Sequence, residues 1–221
     1  MQTIAVVSQK GGAGKTTLAI HLAVLAAADR VTLIVDTDPQ ASASRWGQWR
    51  AEADPEVIDC GAPSLLAGKL AKAEALGAEM VVIDTPPHAD AMARAATRLA
   101  DLILIPCRPR AFDLAALDAT ADLARASGKP AFVVFNAGPP RARRIYQEAE
   151  DLVGGTFGLA IAPVRLPERA AFHHSTARGQ TAPEALTDGK AAADMRALWA
   201  WTLDELRRTS AGAPRSTGAL A

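Results

Sequence analysis

The stretch Ser8-Gln9-Lys10-Gly11-Gly12-Ala13-Gly14-Lys15-Thr16-Thr17 decides the fold of this chain. It follows the apolar run Ile4-Ala5-Val6-Val7 and opens into a segment from Leu18 to Leu25 that is typical of a helix. A strand, a glycine-rich turn and a helix in this order form the context in which a loop binds phosphate, because glycine leaves the backbone N–H groups uncrowded. The sequence therefore predicts a nucleoside triphosphate site at this loop.

Each residue type in the loop has an expected task. The backbone N–H groups from Gly11 to Thr16, with the N-terminus of the following helix, converge on the phosphates. Lys15 reaches the β- and γ-phosphates, and the hydroxyl of Thr16 binds Mg²⁺. The predicted nucleotide-binding residues of the loop are Lys10, Gly11, Gly12, Ala13, Gly14, Lys15, Thr16 and Thr17.

The loop departs from the strict nucleotide-loop signature, because Gln9 stands where that signature has glycine. The pattern Lys-Gly-Gly-x-Gly-Lys-Thr-Thr instead resembles the deviant Walker A motif of the ParA/MinD superfamily of ATPases. The resemblance implies that the nucleotide is ATP and that two ATP-bound protomers form a sandwich dimer. It also implies that Lys10 crosses the interface to the partner's nucleotide, which places Lys10 beside Lys15 among the catalytic residues.

Two acidic motifs follow predicted strands, at the carboxyl ends where open α/β sheets bind ligands. Residues 31–35 lead to Asp36-Thr37-Asp38-Pro39-Gln40, and residues 80–83 lead to Asp84. By the resemblance, Asp38 orients the hydrolytic water, Asp36 supports the Mg²⁺ shell, and Asp84 holds Mg²⁺ through water as the Walker B residue. The alternative for Asp36 and Asp38 is a strand-end carboxylate and a helix N-cap.

Later segments supply further expectations. Asn136, after the apolar run 131–135, resembles the asparagine that reads the adenine edge in this family; the alternative is a turn residue before Gly138-Pro139-Pro140. Residues 159–165 are expected to form the final strand, and residues 191–208 a docked terminal helix. Trp46 and Trp49, three residues apart on a helix, are expected to share a core-facing side.

Apolar runs alternate with longer helical patterns, which predicts an α/β fold with a mostly parallel, doubly wound sheet flanked by helices. With 221 residues, 49% hydrophobic and 22% charged, the chain is expected to form a single domain. Residues 1–208 are assigned to that domain and residues 209–221 to a disordered tail. The first strand begins within three residues of the start, so no preceding helix-turn-helix domain is expected.

Composition and charge indicate in which compartment the protein is expected and which partners it is expected to bind. No apolar run approaches the roughly 20 residues that span a bilayer, and no signal peptide is visible, so a cytoplasmic protein with no membrane partner is expected. The net charge is zero and the pI about 6.9, which argues against strong constitutive DNA binding. A weak basic patch that acts only in a dimer stays compatible with these values.

The turn Arg108-Pro109-Arg110 narrows the resemblance to the short ParA/ParF-type partition ATPases. That resemblance implies a nucleoid-associated ATPase whose ATP-bound homodimer binds DNA nonspecifically and partitions or positions a cargo: a plasmid, a chromosome region or a large protein assembly. A ParB/ParG-like or cargo-adaptor protein would stimulate hydrolysis. The candidate DNA contacts are Arg165, Arg169, Arg178, Arg196, Arg207 and Arg208.

Other classes fit the sequence less well. A MinD-like membrane ATPase needs a terminal amphipathic anchor, and an iron-protein reductase needs bridging cysteines, whereas this chain has only Cys60 and Cys107. A bacterial tyrosine kinase would carry a terminal tyrosine cluster, whereas Tyr146 is the only tyrosine. The main alternative is a biosynthetic ATP-dependent ligase of the dethiobiotin synthetase type. The Asp38-Pro39-Gln40 motif favours partition.

Overall fold

The structure is a computed structural model that describes residues 1–88 and 90–212. Its strands are β1 (Gln2–Val6), β2 (Thr32–Asp36), β3 (Glu56–Asp59), β4 (Met80–Asp84), β5 (Leu102–Cys107), β6 (Ala131–Gly138), β7 (Ala160–Ile161) and β8 (Leu166–Pro167). They form one parallel sheet in the order β3-β2-β4-β1-β5-β6-β7, and β8 pairs with the end of β6.

Helices cover both faces of the sheet. They are α1 (Lys15–Ala27), α2 (Ser42–Trp49), α3 (Pro63–Ala75), α4 (Asp90–Leu99), α5 (Ala111–Ala115), α6 (Leu117–Ser127), α7 (Arg143–Phe157), α8 (Ala170–Thr176), α9 (Ala182–Ala185) and α10 (Lys190–Ser210). The predicted parallel, doubly wound α/β fold is confirmed.

Two apolar cores lie on the two faces because successive strand residues point in opposite directions. Val81 and Ile83 belong to the core that contains residues of α3, α4, α6 and α7. Val82 belongs to the other core, with residues of α1, α2, α8, α9 and α10. A strand buried on both faces must be apolar along its length, which explains the continuous runs in the sequence.

The register of the sheet brings the acidic motifs to the phosphate loop. Val6, the last residue of β1, is the partner of Asp84, and Asp84 is also the partner of Asp36 on the neighbouring strand. The ends of β1, β2 and β4 therefore lie side by side at one edge of the sheet. The loops that follow these strands must meet there.

Two local expectations are corrected by the structure. The segment predicted as one final strand, 159–165, contains only Ala160–Ile161, and a separate strand, Leu166–Pro167, pairs with the end of β6. Trp46 is 2% exposed, but Trp49 is 58% exposed. Trp49 is the last residue of α2, so the helix turns only one of the two indoles towards the core.

The terminal helix extends slightly further than expected. It runs through Ser210, two residues beyond the predicted domain end, and Ala211 and Gly212 form a turn. The remainder of the predicted tail, residues 213–221, lies outside the described residues. Within residues 1–88 and 90–212, no helix combines the length and hydrophobicity that crossing a membrane requires.

Candidate nucleotide-binding site

The glycine-rich loop is open on the side where phosphates would lie. Gly12 and Gly14 have φ values of 72° and 93°, the left-handed region that favours glycine. A Cβ atom built on Gly11 or Gly12 would meet no atom within 4 Å, so the backbone N–H groups there are accessible to an anion. Gly14 ends the loop as the N-cap of α1 and needs no side chain for that role.

Lys15, the first residue of α1, is buried beneath the loop. Its Nζ donates a 3.2 Å hydrogen bond to the backbone oxygen of Lys10. Burial lowers the pKa of Lys15, whereas the Asp84 and Asp38 carboxylates act in the opposite direction. The loop lysine is thus close enough to interact electrostatically with the predicted catalytic Asp38 and the predicted metal ligand Asp84.

Asp84 is fully buried, and neither of its carboxylate oxygens has a hydrogen-bond partner among the described residues. Burial raises the pKa of Asp84 to about 7; Asp36 adds to this rise, while Thr16 and Lys15 oppose it. A buried carboxylate without partners is costly unless a cation or polarised water completes the site. The donor set, Asp84 with the Thr16 hydroxyl, therefore fits Mg²⁺.

No group of three or more His, Cys, Asp or Glu side chains in residues 1–88 and 90–212 has the arrangement of a metal site. Mg²⁺ does not need one, because it is usually held by one or two carboxylates together with substrate phosphates and water. The residues present thus suit a metal that arrives with a nucleotide.

Asp36 has a different set of contacts from the metal role predicted for it. Its Oδ1 accepts a 3.1 Å hydrogen bond from the backbone of Asp38, and its Oδ2 accepts bonds of 2.9 and 3.0 Å from the backbone and hydroxyl of Ser44. Oδ1 therefore holds the loop that carries Asp38, and Oδ2 holds the first turn of α2 that follows this loop. Asp36 positions this loop in the structure, and its place in a Mg²⁺ shell stays a prediction.

The Asp38 loop is fixed by further polar contacts. Asp38 accepts a 2.9 Å hydrogen bond from the backbone of Gln40, and its carbonyl accepts one of 2.8 Å from Ala41. The Ser44 hydroxyl also lies within hydrogen-bond distance of Asp59 at the end of β3, so its single proton is shared between the Asp36 and Asp59 carboxylates. The sequence reasoning missed Ser44 and Asp59, because no local motif marks a serine eight residues after Asp36 as its partner.

Asn136 lies against the phosphate loop. Its Nδ2 donates a 2.8 Å hydrogen bond to the carbonyl of Ala13, and a Cβ on Gly14 would come within 2.1 Å of that nitrogen. The amide is therefore held by the loop, and its Oδ1 can accept a hydrogen bond from an exocyclic amino group. The structure brings Asn136 to the site, and its role in reading adenine stays a prediction.

The side chain of Lys10 has no hydrogen-bond or ion-pair partner in the described part of the chain. Its backbone N–H donates to Ser8, and its carbonyl accepts from Lys15. The ammonium group is thus available to a group outside this chain. The predicted contact with a partner's nucleotide is compatible with that position and is not tested by it.

Most of the six arginines predicted to contact DNA form ion pairs or hydrogen bonds with other residues of the chain. Of these six arginines, Arg178 alone has no acidic or carbonyl partner for its side chain among the described residues. The other pairs are Arg165–Glu150, Arg169–Asp194, Arg207–Asp204, Arg208–Glu205, and Arg196 with the carbonyls of Thr187 and Pro183. These partners compensate most of the positive charge that the prediction relied on.

Comparisons with known proteins agree with this geometry. A family model described as "CobQ/CobB/MinD/ParA nucleotide binding domain" matches residues 4–182. Maintenance of carboxysome distribution protein A of Gloeobacter kilaueensis is 34% identical over 203 residues, which cover 87% of this chain and 93% of that protein.

Two solved structures show the same fold. The ATP complex of a substituted Cyanothece McdA superposes with a TM-score of 0.70 at 16% identity, over 97% of this chain and 98% of that one. MinD from Pyrococcus horikoshii, complexed with Mg-ADP, gives a TM-score of 0.72 at 17% identity, over 93% and 97%.

Proposed function

This chain belongs to the CobQ/CobB/MinD/ParA nucleotide binding domain family, and we propose that it is an ATPase that positions a cargo. In this proposal two ATP-bound protomers dimerise, the dimer binds nucleoid DNA nonspecifically, and a ParB/ParG-like or cargo-adaptor protein stimulates hydrolysis. The membership of the ParA/MinD superfamily that the loop motif predicted is confirmed. The steps of the cycle are the part we propose.

One observation carries the ATPase assignment. Asp84 has two buried oxygens without partners, beside Lys15 and Thr16 of a loop whose glycines are open to an anion. This arrangement is unfavourable by itself and becomes favourable when a metal-bound polyphosphate supplies the missing cation and acceptor groups. A purely structural loop would not need a buried, unpaired carboxylate.

The residues of the chain have separate tasks in the proposed reaction. Lys15 and the loop N–H groups bind and orient the phosphates, and the Thr16 hydroxyl with Asp84 would hold Mg²⁺. When bound, Mg²⁺ neutralises charge on the phosphate oxygens. Asp38, fixed by Asp36, would hold the attacking water in line, because phosphoryl transfer depends on positioning more than on a covalent nucleophile.

The cargo assignment rests on the sequence relatives. A protein named for carboxysome distribution is 34% identical over most of both chains, and a second of that name, from Halothiobacillus neapolitanus, is 29% identical over 203 residues. This similarity favours a large protein assembly among the three predicted cargo classes. The partner that links such an assembly to the ATPase is a separate protein in this proposal.

The test is retention of the protein on random-sequence duplex DNA with ATP and Mg²⁺, with ADP and without nucleotide, beside a measurement of mass in solution. Retention and dimer formation only with ATP, both lost in Lys10→Ala while ATP still binds, are the expected results. ATP binding without dimerisation or DNA retention in any condition would contradict the positioning function. A ligase would instead consume ATP only when a carboxylate or amine substrate is present.

A further inference from the structure

Residues 139–142, between β6 and α7, line two adjoining concavities. One has a volume of about 200 Å³ and includes Arg141, Arg143 and Arg165 in its lining, and the other, of about 590 Å³, includes Arg141 and Lys190. We propose that this basic site, defined by Arg141, Arg143, Arg165 and Lys190, binds the phosphodiester groups of a nucleic-acid backbone. The inference rests on the proposed function, and it locates the DNA contact away from most of the arginines first predicted.

Three of the four cations that define this site have no compensating acid. The side chains of Arg141, Arg143 and Lys190 are exposed and have no hydrogen-bond or ion-pair partner among the described residues. The fourth cation of the site, Arg165, pairs with Glu150, and the neighbouring Arg144 pairs with Glu148. Three cations that share two adjoining concavities without acids attract a polyanion more than scattered surface pairs do.

Both helices that begin at the site have unfilled N-termini. Arg143 is the first residue of α7 and Lys190 the first of α10, and neither helix has a side-chain cap or an acidic residue in its first turn. A cation at this end of a helix is opposed by the helix dipole. A bound phosphate offsets this unfavourable interaction between the cation and the helix dipole, because it interacts favourably with both the cation and the free N–H groups.

A buried phenol supports the same interpretation. Tyr146 lines the smaller concavity, is 3% exposed, and its hydroxyl has no hydrogen-bond partner among the described residues. The guanidinium of Arg165 lies over its ring, 4.4 Å from the centroid, and is also held by Glu150. Arg165 is thus a cation with a fixed position in the lining of the smaller concavity. The Tyr146 hydroxyl beneath it is a polar group without a hydrogen-bond partner among the described residues.

The chemistry of the lining favours backbone phosphates over bases. Besides the cations and Tyr146, the two concavities are lined by Pro139, Pro140, Ala142 and Pro167, which have no polar side chains. Reading a base edge requires both donors and acceptors in defined positions, whereas cations alone contact phosphates regardless of sequence. Asn136, three residues before residues 139–142 in the chain, donates a hydrogen bond to Ala13 of the phosphate loop, so one strand end leads to both sites.

The experiment measures affinity for a fluorescently labelled random-sequence duplex against salt concentration, with a non-hydrolysable ATP analogue and Mg²⁺. If each protomer of a dimer uses three cations, log K should fall with log salt at a slope of about −5. Arg141→Ala/Arg143→Ala should weaken binding at least tenfold at 0.1 M salt and reduce the slope by about 3 to 4. Lys190→Ala should reduce it by about 2.

The control is Lys69→Ala/Lys72→Ala, which removes the same charge from α3, the helix that follows β3 at the other end of the strand order from β6 and β7. It should leave the slope unchanged. Nucleotide binding and dimer mass are measured for every variant, so that loss of the nucleotide cycle is separated from loss of this site.

The outcomes distinguish the two proposals. If the wild-type protein does not bind DNA, the proposed function fails with this inference. If it binds DNA and Arg141→Ala/Arg143→Ala keeps the wild-type slope, only the basic site is overturned. If inorganic phosphate or free ATP binds there, and the substitutions change that binding but not DNA affinity, the site belongs to a small phosphate ligand and the nucleic-acid assignment is wrong.

Discussion

His21 on α1 is hydrogen-bonded to Ala182 on α9: the backbone N–H of Ala182 donates to Nε2 over 3.0 Å. The other ring nitrogen, Nδ1, lies 2.7 Å from the carbonyl oxygen of Thr17, so it must carry the proton. One neutral, fully buried imidazole thus joins the helix after the phosphate loop to a segment about 160 residues later. Sequence reasoning did not identify His21, since a single histidine in an apolar helix carries no motif.

This relationship predicts a pH dependence of stability. Burial lowers the pKa of His21 to about 4, whereas in the unfolded chain it is near 6.5. The unfolded state therefore binds more protons between these values, and stability falls as pH drops from about 6.5 to 4, by on the order of 3 kcal/mol. Urea denaturation of the wild type and of His21→Phe at pH 7.5 and 4.5 measures this loss.

His21→Phe should be less stable at pH 7.5, because Ala182 loses its acceptor, and should lose less stability on acidification. His173→Ala, which changes an exposed histidine, is the control and should behave as the wild type does. If His21→Phe and the wild type lost the same stability between pH 7.5 and pH 4.5, His21 would not be the group that causes this loss.

Asp84→Asn should have opposite effects on stability and on nucleotide binding. Removing a buried, unpartnered charge is expected to raise the free energy of unfolding of the nucleotide-free protein by about 2 kcal/mol at pH 8. The same change should abolish the gain in stability on adding ATP with Mg²⁺, because the carboxylate that would hold the metal is lost. Asp118→Asn, on the exposed side of α6, should change neither.

Thermal denaturation without nucleotide measures the stability of the Asp84→Asn protein. The same measurement with ATP and Mg²⁺ shows how much the nucleotide stabilises it. An Asp84→Asn protein that is no more stable than the wild type without nucleotide would show that the carboxylate is compensated in the free protein. Undiminished stabilisation by ATP with Mg²⁺ would remove Asp84 from the metal site.

Arg50, which follows α2 and pairs with Glu184 of α9, is expected to be the ion-pair residue whose loss costs the most stability. Its guanidinium binds both oxygens of Glu184, over 2.7 and 3.1 Å, and donates to the carbonyls of Asp54 and Gly179. Since the Arg50 side chain is only 5% exposed, Arg50→Ala leaves Glu184 Oε1 and the two carbonyls without this donor, although Thr181 still donates to Glu184 Oε2, and should cost about 3 kcal/mol.

Arg50→Lys should recover only part of this stability, because an ammonium group lacks the planar fork that binds a carboxylate with two bonds. Arg125→Ala removes an exposed pair with Asp122 and should cost less than about 1 kcal/mol. Urea denaturation of the three variants measures the differences. Similar losses for Arg50→Ala and Arg125→Ala would contradict the argument.

Asn136→Ala should affect both affinity and base selectivity. The variant loses the hydrogen bond to Ala13 that fixes the loop and the oxygen that would accept from an adenine amino group. ATP affinity is expected to fall by about tenfold, which is typical of one lost polar contact, and GTP affinity by less. Equilibrium binding of fluorescent ATP and GTP analogues measures both, and equal losses would exclude a role in reading the base.

The fold and the phosphate loop were predictable because they depend on residues close together in the chain. A strand, a glycine loop with a lysine and a helix specify their own local structure, and the apolar runs specify a sheet buried on both faces. The same runs also located Asp84 at a strand end. The final strand was misplaced, since residues 159–165 are apolar enough for a strand but only two of them pair with β6.

The sequence by itself determined the family, the α/β fold, and which loops carry lysine and carboxylate groups, because contiguous motifs encode all three. Only the tertiary structure decided that Asp84 has no partner, that Asp36 holds the Asp38 loop, and that most of the predicted DNA-binding arginines are paired with acids. It also brought Lys190 and Arg141 to one concavity. The physical reason is that compensation of a charge depends on neighbours distant in sequence, which chain order alone does not specify.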